Sequence, residues 1–384
     1  MKFVNLNQKT FFVIIHQIQH IMLISFTVEN YRSFKEKKTF SLKASSLQEH
    51  IAFVRENNGV NLLPAVAFYG ANSSGKSNLL SALKMMKNVL LSSIKINPTE
   101  ALKTDTFKLD ERYFQKPTLF EAIFTSDDST YRYGFKYSPK RINGEWLYSI
   151  KNDREKLLFV RNNEGIGVTK DFPEGTGKED STAENRLFLS LVAQLNGKIS
   201  LSVMSWFEEL KIFSGIEDFE FETKARFNLF AGDAKAETVK RFINAMDLGI
   251  AGIQRGDVSF KKFINMPGLI IDTLSKGGTI VVDELETKLH PLLTQKIIAT
   301  FNSPESNPNR TQLIFATHDT NLLSNKIFRR DQIWFAEKNC EDESTDIYPL
   351  SKIKEQNGET IRNDRDYEKD YINGRYGAIP YLRR

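Results

Sequence analysis

Gly70-Ala71-Asn72-Ser73-Ser74-Gly75-Lys76-Ser77 follows the pattern G-x-x-x-x-G-K-[ST], a loop whose glycines let the backbone close round an anion. The apolar run before it, Ala65-Val-Ala-Phe-Tyr69, reads as a buried strand. Behind it Leu79, Leu80, Leu83, Met86 and Leu90 recur at helical spacing, so the octet opens a helix. That order gives the pattern its weight, because successive N–H groups and a helix N-terminus then converge on one anion. Lys76 is expected to reach the β- and γ-phosphates, and the Ser77 hydroxyl to ligate Mg²⁺. All eight residues, with Asn78 after them, are candidate contacts to a nucleoside triphosphate.

Two later stretches complete the expected site. Thr279-Ile-Val-Val-Asp-Glu284 reads as a buried strand ending in two carboxylates. Ligands of an open parallel sheet lie at the carboxyl ends of its strands. Asp283 is therefore expected to hold Mg²⁺, and Glu284 to act as base or to orient the attacking water. The plainer reading, that this pair caps the next helix, loses ground once the phosphate loop is present. Leu313-Ile-Phe-Ala-Thr317 would deliver His318 to the same edge as a γ-phosphate sensor, although a lone histidine is more often structural.

Composition sets the outer limits. The 384 residues are 40% hydrophobic and 26% charged, ordinary for a globular chain of about two domain-sized units. No apolar run reaches the roughly 18 residues of a membrane span. Cys340, the one cysteine, leaves no intramolecular disulfide and fits a reducing cytoplasm. A formal charge of +5 permits nucleic-acid contact without arguing for it. Met22 is expected as the natural start, with residues 1–21 an upstream extension outside the fold.

Along the chain, residues 23–42 read as two strands about a polar turn at Lys35–Lys38, and Thr118–Phe124 with Thr130–Tyr137 as another pair. Trp146–Ile150 and Lys156–Arg161 continue the β character, and Asn162–Asp180 reads as a surface loop. Ser181-Thr-Ala-Glu184 has the form of a capping box before a helix stopped by Asn196-Gly197. Ser200–Ile212 and Asp233–Leu248 read as further helices. From Thr279 the pattern alternates strand and helix, which implies a parallel sheet in an α/β fold.

Asn72 in the loop, VVDELETKLHP at 281–291 and FATHD at 315–319 together resemble ABC-type P-loop ATPases of the RecF/SMC branch. VENYRSF at 28–34 resembles the first strand and turn of such heads and implies that Arg32 lies near the nucleotide. FATHDTNLLSNKIFRRDQIWFAEK (315–338) and EKDYINGRYGAIPYL (368–382) resemble the stand-alone AAA-type ATPases of bacterial phage-defence and abortive-infection loci. Those are similar to the ATPase half of the OLD family, without a Toprim nuclease on the same chain. TFKLDE at 106–111 and NGEWLY at 143–148 also fit that group.

The resemblance implies a P-loop ABC-type head with a β-subdomain and a helical insertion. The extents are 22–180 for the N-terminal lobe, 181–250 for the insertion and 251–384 for the C-terminal lobe. That last lobe would carry the Walker B strand, a D-loop over Leu285–His290 and the switch histidine. The resemblance further implies ATP and Mg²⁺ as cofactors, a homodimer formed on ATP, and control of a partner effector such as a neighbouring nuclease or toxin. One departure stands out. Where relatives carry Glu-Ser-x-Gly-Thr, the chain reads Gly256-Asp-Val-Ser-Phe-Lys-Lys-Phe263, so only Ser259 could be a remnant of the signature loop.

Two other classes stay open, a nucleotide-binding scaffold or DNA-binding regulator with little hydrolysis, and a RecF-like DNA clamp. The basic pairs Lys261-Lys262 and Arg329-Arg330 have no aromatic interleaving and read as solvated surface. Trp146, Trp206 and Trp334 read as core anchors, His290 as shaping the turn before Pro291, and Tyr371–Tyr381 as either a packing strap or a docking surface.

Overall fold

The computed structural model describes residues 21–126, 128–214, 269–286, 289–355 and 358–380. Of the expected extension over 1–21, residues 1–20 lie outside the described residues, as do the expected helix at Asp233–Leu248, Lys261, Lys262 and the loop around Ser259; Ile21, expected outside the fold, is instead buried in the core.

The chain opens on β1 (Met22–Glu29), followed by β2 (Lys38–Ser41), β3 (Arg55–Asn57) and β4 (Val60–Leu62), then β5 (Ala65–Tyr69) and α1 (Lys76–Ser92). Five strands follow: β6 (Thr118–Ser126), β7 (Ser129–Tyr137), β8 (Ile142–Lys151), β9 (Arg154–Asn162) and β10 (Gly165–Val168). They join β1 and β2 in an antiparallel sheet ordered β10-β9-β8-β7-β6-β1-β2. Its inner face, with Phe26, Val28, Phe120 and Phe135, packs on the Leu79, Leu83 and Met86 stripe of α1. The stretch expected as a loop at 162–180 thus contains an edge strand, because β10 finds a ladder along β9.

The second sheet is built from β11 (Lys211–Ser214), β12 (Thr279–Asp283), β13 (Gln312–Ala316), β14 (Ile333–Lys338) and β15 (Thr345–Pro349), with β5 inside it. Its order is β11-β12-β13-β5-β14-β15, parallel except for the β14–β15 pair. All five residues of β5 and of β13 are buried, as expected of parallel strands covered on both faces. One face, with Val66, Phe68 and Ile314, meets α1. The other, with Ala67, Val282 and Phe315, meets α4 and α5, which span Pro291–Asn302 and Tyr367–Ile372. Gln312 clamps the sheets together: Oε1 accepts from Leu23 N–H at 2.6 Å while Nε2 donates to Leu63 O at 3.3 Å.

Three local expectations need correction. Helix α2 (Phe188–Gln194) starts at an extended Leu187 with no side chain capping it locally. The acceptor comes from far away: Glu145 takes the amides of Phe188 (2.7 Å) and Leu189 (3.0 Å), so Ser181–Glu184 is not a capping box. Helix α3 (Lys198–Glu209) ends short of Ile212, because 211–214 pairs with β12 instead, and tertiary pairing outweighs helical spacing. Arg329 is not solvated surface. It is fully buried, with Asp331 held at 3.0 Å and the carbonyls of Ser45 and Leu47 accepting from its guanidinium. Arg330 is likewise occupied by Glu49 at 2.8 Å.

Trp206 and Trp334 are buried as read, whereas Trp146 is half-buried and donates to Glu121 at 2.7 Å. His290 caps α4, its Nδ1 accepting from Leu292 N–H at 3.3 Å. No helix among the described residues is long and apolar enough to cross a membrane.

Candidate nucleotide site

The strand order decides where the candidate residues meet. β13 lies between β5 and β12, so the loop after β5, the turn after β13 and the acidic end of β12 share one edge. Sequence distance disappears there: Gly70, Asp283 and His318 come from three neighbouring parallel strands.

The loop is shaped by its glycines. A Cβ on Gly70 would sit 2.3 Å from Ala336 O, and one on Gly75 would sit 2.1 Å from Thr345 Oγ1. Gly75 also has φ +108°, a conformation L side chains avoid. Thr345 Oγ1 donates to Ser74 O at 2.9 Å and lies 2.8 Å from Ser33 Oγ. Asn78 Nδ2 donates to the same Ser33 Oγ at 2.8 Å, so the turn after β1 braces the loop. Helix α1 starts at Gly75 with no side-chain cap and no acidic residue in its first turn. Its leading amides therefore keep the capacity to bind an anion. Ala71 is half-buried, while Asn72, Ser73 and Ser77 face outward.

Lys76 curls back over the loop. Its Nζ donates to Gly70 O at 2.8 Å and to Ala71 O at 2.9 Å. Burial pulls the ammonium down to about 8, against the opposing pull of Asp283, Glu286 and Glu284.

Asp283 and Glu286 behave differently from the other acids of the fold. Asp283 is raised chiefly by burial, while a hydrogen bond from Ser77 lowers it. Its Oδ1 is buried with no hydrogen-bond partner, and Glu286 Oε2 is in the same condition. These are the only carboxylate oxygens so placed among the described residues, and the nearby Ser74 Oγ and Tyr69 OH are unpartnered too. Buried polar atoms are nearly always satisfied, so such a cluster marks a place for something else. A hard cation fits: a buried carboxylate oxygen and a serine hydroxyl are oxygen ligands, and Mg²⁺ takes few protein ligands beside phosphate. Among the described residues no group of three or more His, Cys, Asp or Glu could hold a metal by itself.

Glu284 is exposed and left-handed, with φ 54°, so it turns out of the strand toward the edge. The exposed His318 imidazole is lowered from its ordinary value, chiefly by partial desolvation and next by Lys76. Its backbone N–H donates to Glu286 Oε1 at 2.6 Å. Glu286 lies outside the expected Asp283-Glu284 pair; its spacing of three from Asp283 is the signal the sequence offers.

Arg32 does not line the cavity beside the loop. Its guanidinium is taken by Asp105 at 2.8 Å, and it is Ser33, one residue on, that reaches the loop. A cavity of about 430 Å³ opens beside the loop, lined by Tyr69, Asn72, His318, Glu337, Tyr371 and Ile379. The C-terminal segment forms its wall as a packed strap. Tyr371 stacks on Phe335 with ring centroids 5.5 Å apart, and Ala378 N–H donates to Glu337 Oε1 at 3.0 Å.

Fold and edge together define a P-loop nucleotide-binding domain of mixed α/β architecture. A family model described as "AAA domain, putative AbiEii toxin, Type IV TA system" matches residues 65–324, and the chain belongs to this family. The matched span runs from β5 past the turn after β13, so it includes the phosphate loop, Asp283, Glu284, Glu286 and His318, while Arg32, Ser33, Thr345 and the C-terminal strap lie outside it. No curated protein matches the chain.

Proposed function

We propose that the chain is an Mg²⁺-dependent ATPase of ABC type that closes as a homodimer on ATP and uses hydrolysis as a conformational switch. Its output would be control of a partner effector, a nuclease or toxin, in phage defence. The observation that carries the enzymatic part is the buried, unpartnered carboxylate oxygen of Asp283 beside Lys76. Burying a carboxylate oxygen without a partner is costly, and a metal–triphosphate complex is the ligand that relieves it here.

Each residue then has a definite task. The amides of residues 70–77 and the α1 N-terminus cradle phosphate, and Lys76 leaves its two carbonyls for the β- and γ-phosphates. Ser77 and Asp283 would hold Mg²⁺, which when bound neutralises charge on the phosphate oxygens. Glu284, turned out at the edge, takes the proton of the attacking water or orients it. His318 donates a ring N–H to an oxygen of the terminal phosphate. Phosphoryl transfer needs little more than such positioning and electrostatics.

The test is steady-state ATP hydrolysis by the purified chain with Lys76→Ala and Glu284→Gln as controls. Turnover lost in both variants is expected; turnover that survives Glu284→Gln would remove that residue from the mechanism. A second reading is favoured by one observation, that Gly256–Phe263 lacks the Gly-Thr expected of a signature loop. On that reading the chain is a nucleotide-gated scaffold, possessing ATP binding without turnover, and the same assay separates the two.

A further inference from the structure

The turns after β12 and β13 are stitched together at two points. Leu285 N–H donates to Ala316 O at 3.2 Å, and His318 N–H donates to Glu286 Oε1 at 2.6 Å. The first is a main-chain contact that any side chain at 285 would allow. The second depends on one carboxylate.

The rest of the turn is held separately. Thr317 N–H donates to Phe68 O at 3.1 Å, and Asp319 N–H donates to Thr317 Oγ1 at 3.0 Å. Thr320 Oγ1 donates to Glu368 Oε1 at 2.7 Å. Residues 317, 319 and 320 therefore have their own anchors, and His318 is the point where Glu286 alone sets the backbone.

We infer that Glu286 is a positioning residue: it fixes the His318 backbone so that the imidazole is presented to the terminal phosphate of a bound triphosphate. The inference rests on the ATPase reading above. A charged acceptor on a backbone amide gives a short, strong bond. Without it the amide at the sheet edge turns to water, and the imidazole loses its fixed direction. On the ATPase reading a diphosphate lacks the phosphate that His318 would sense, so Glu286 would govern discrimination between triphosphate and diphosphate, with little effect on diphosphate binding itself.

The experiment is calorimetric titration of the full chain with ADP and with adenylyl imidodiphosphate, both with Mg²⁺. It compares wild type, Glu286→Ala, Glu286→Gln, His318→Ala and the Glu286→Ala/His318→Ala double variant, with a thermal midpoint for each. Glu286→Ala is expected to weaken the triphosphate analogue about tenfold, the size of one lost hydrogen bond to a charged group. ADP should stay within about twofold, and the double variant should bind no worse than His318→Ala, since the two act as one unit. Glu286→Gln keeps a carbonyl oxygen for the His318 amide and should recover most of the loss.

An unchanged preference for the analogue in Glu286→Ala overturns the inference. So does an equal weakening of both nucleotides, which would make Glu286 a general scaffold, or a Gln variant as impaired as Ala. Wild type that binds neither nucleotide would instead overturn the nucleotide-site reading, and the inference with it.

Discussion

Glu145 in the antiparallel sheet and Asp283 at the edge of the parallel one are both carboxylates withdrawn from water, and burial raises both. Their surroundings differ. Glu145 Oε1 accepts from Tyr133 OH at 2.9 Å and from Leu189 N–H at 3.0 Å, while Oε2 accepts from Phe188 N–H at 2.7 Å. Arg161 lies across the ladder as a compensating charge. Asp283 has a serine hydroxyl and the field of Lys76, and its Oδ1 is left with nothing. Both regions bury charge, but only one is complete without a ligand. A satisfied buried carboxylate ties elements of the fold together, whereas an unsatisfied one holds a place for chemistry.

The sharpest way to break this comparison is Glu145→Ala. It orphans two backbone amides and a tyrosine hydroxyl and takes from Arg161 the stronger of its two compensating carboxylates. The expected cost is about 3–5 kcal/mol, the range for removing one partner of a buried charged network. Urea denaturation would measure it, and the nucleotide affinity of the folded fraction should be unaltered. A loss below about 1 kcal/mol would mean that the network contributes no more than an ordinary hydrogen bond.

Lys76→Ala should act the other way round. Nucleotide affinity is expected to fall about a hundredfold, for loss of a charged donor to phosphate, while the ligand-free chain is not destabilised. The sign follows from the shift. The folded ammonium titrates near 8, below its unfolded value of ~10.4, so between these values the unfolded chain binds the extra proton. Stability of the ligand-free wild type therefore rises with pH across that window, and below it the buried charge is a steady cost. Phosphate needs the protonated form, so wild-type ATP affinity should fall as pH climbs past about 8. Titration at several pH values checks this, and a slope that persists in Lys76→Ala would assign it to another group.

How much of this was legible in the sequence follows the same division. The phosphate loop, the acidic end of β12 and the His318 turn are written in short contiguous patterns, because backbone wrapping and strand ends are local matters. Their convergence follows from a parallel sheet, which the strand–helix alternation already implies. Glu145 and Arg329 carry no such local mark. Glu145 caps a helix 43 residues away and Arg329 bonds to Ser45 O at a separation of 284 residues. The helix expected through Ile212 misled for a related reason: Ile212 and Phe213 are apolar at spacings either element would accept, and the partner strand β12 decides. Glu286 was visible as an acid but not as a partner of His318, since that depends on a left-handed turn at Glu284.

The smallest stability effect is expected at the most function-bound residue, and it tests the comparison most closely. Asp283→Asn keeps shape and a hydrogen-bonding oxygen but removes the charge. At Glu145 an equivalent exchange would place an amide N–H₂ against donors that already fill the site. At Asp283 it leaves Ser77 within reach of the new side chain and ends the desolvation cost of an unmatched anion. The ligand-free Asn variant should therefore unfold within about 1 kcal/mol of wild type, on the stable side if it differs. Mg²⁺ dependence of ATP binding should vanish in the same protein, because a neutral amide is a poor partner for a hard cation. A variant that unfolds several kcal/mol earlier would show that Asp283 belongs with Glu145, as part of the scaffold.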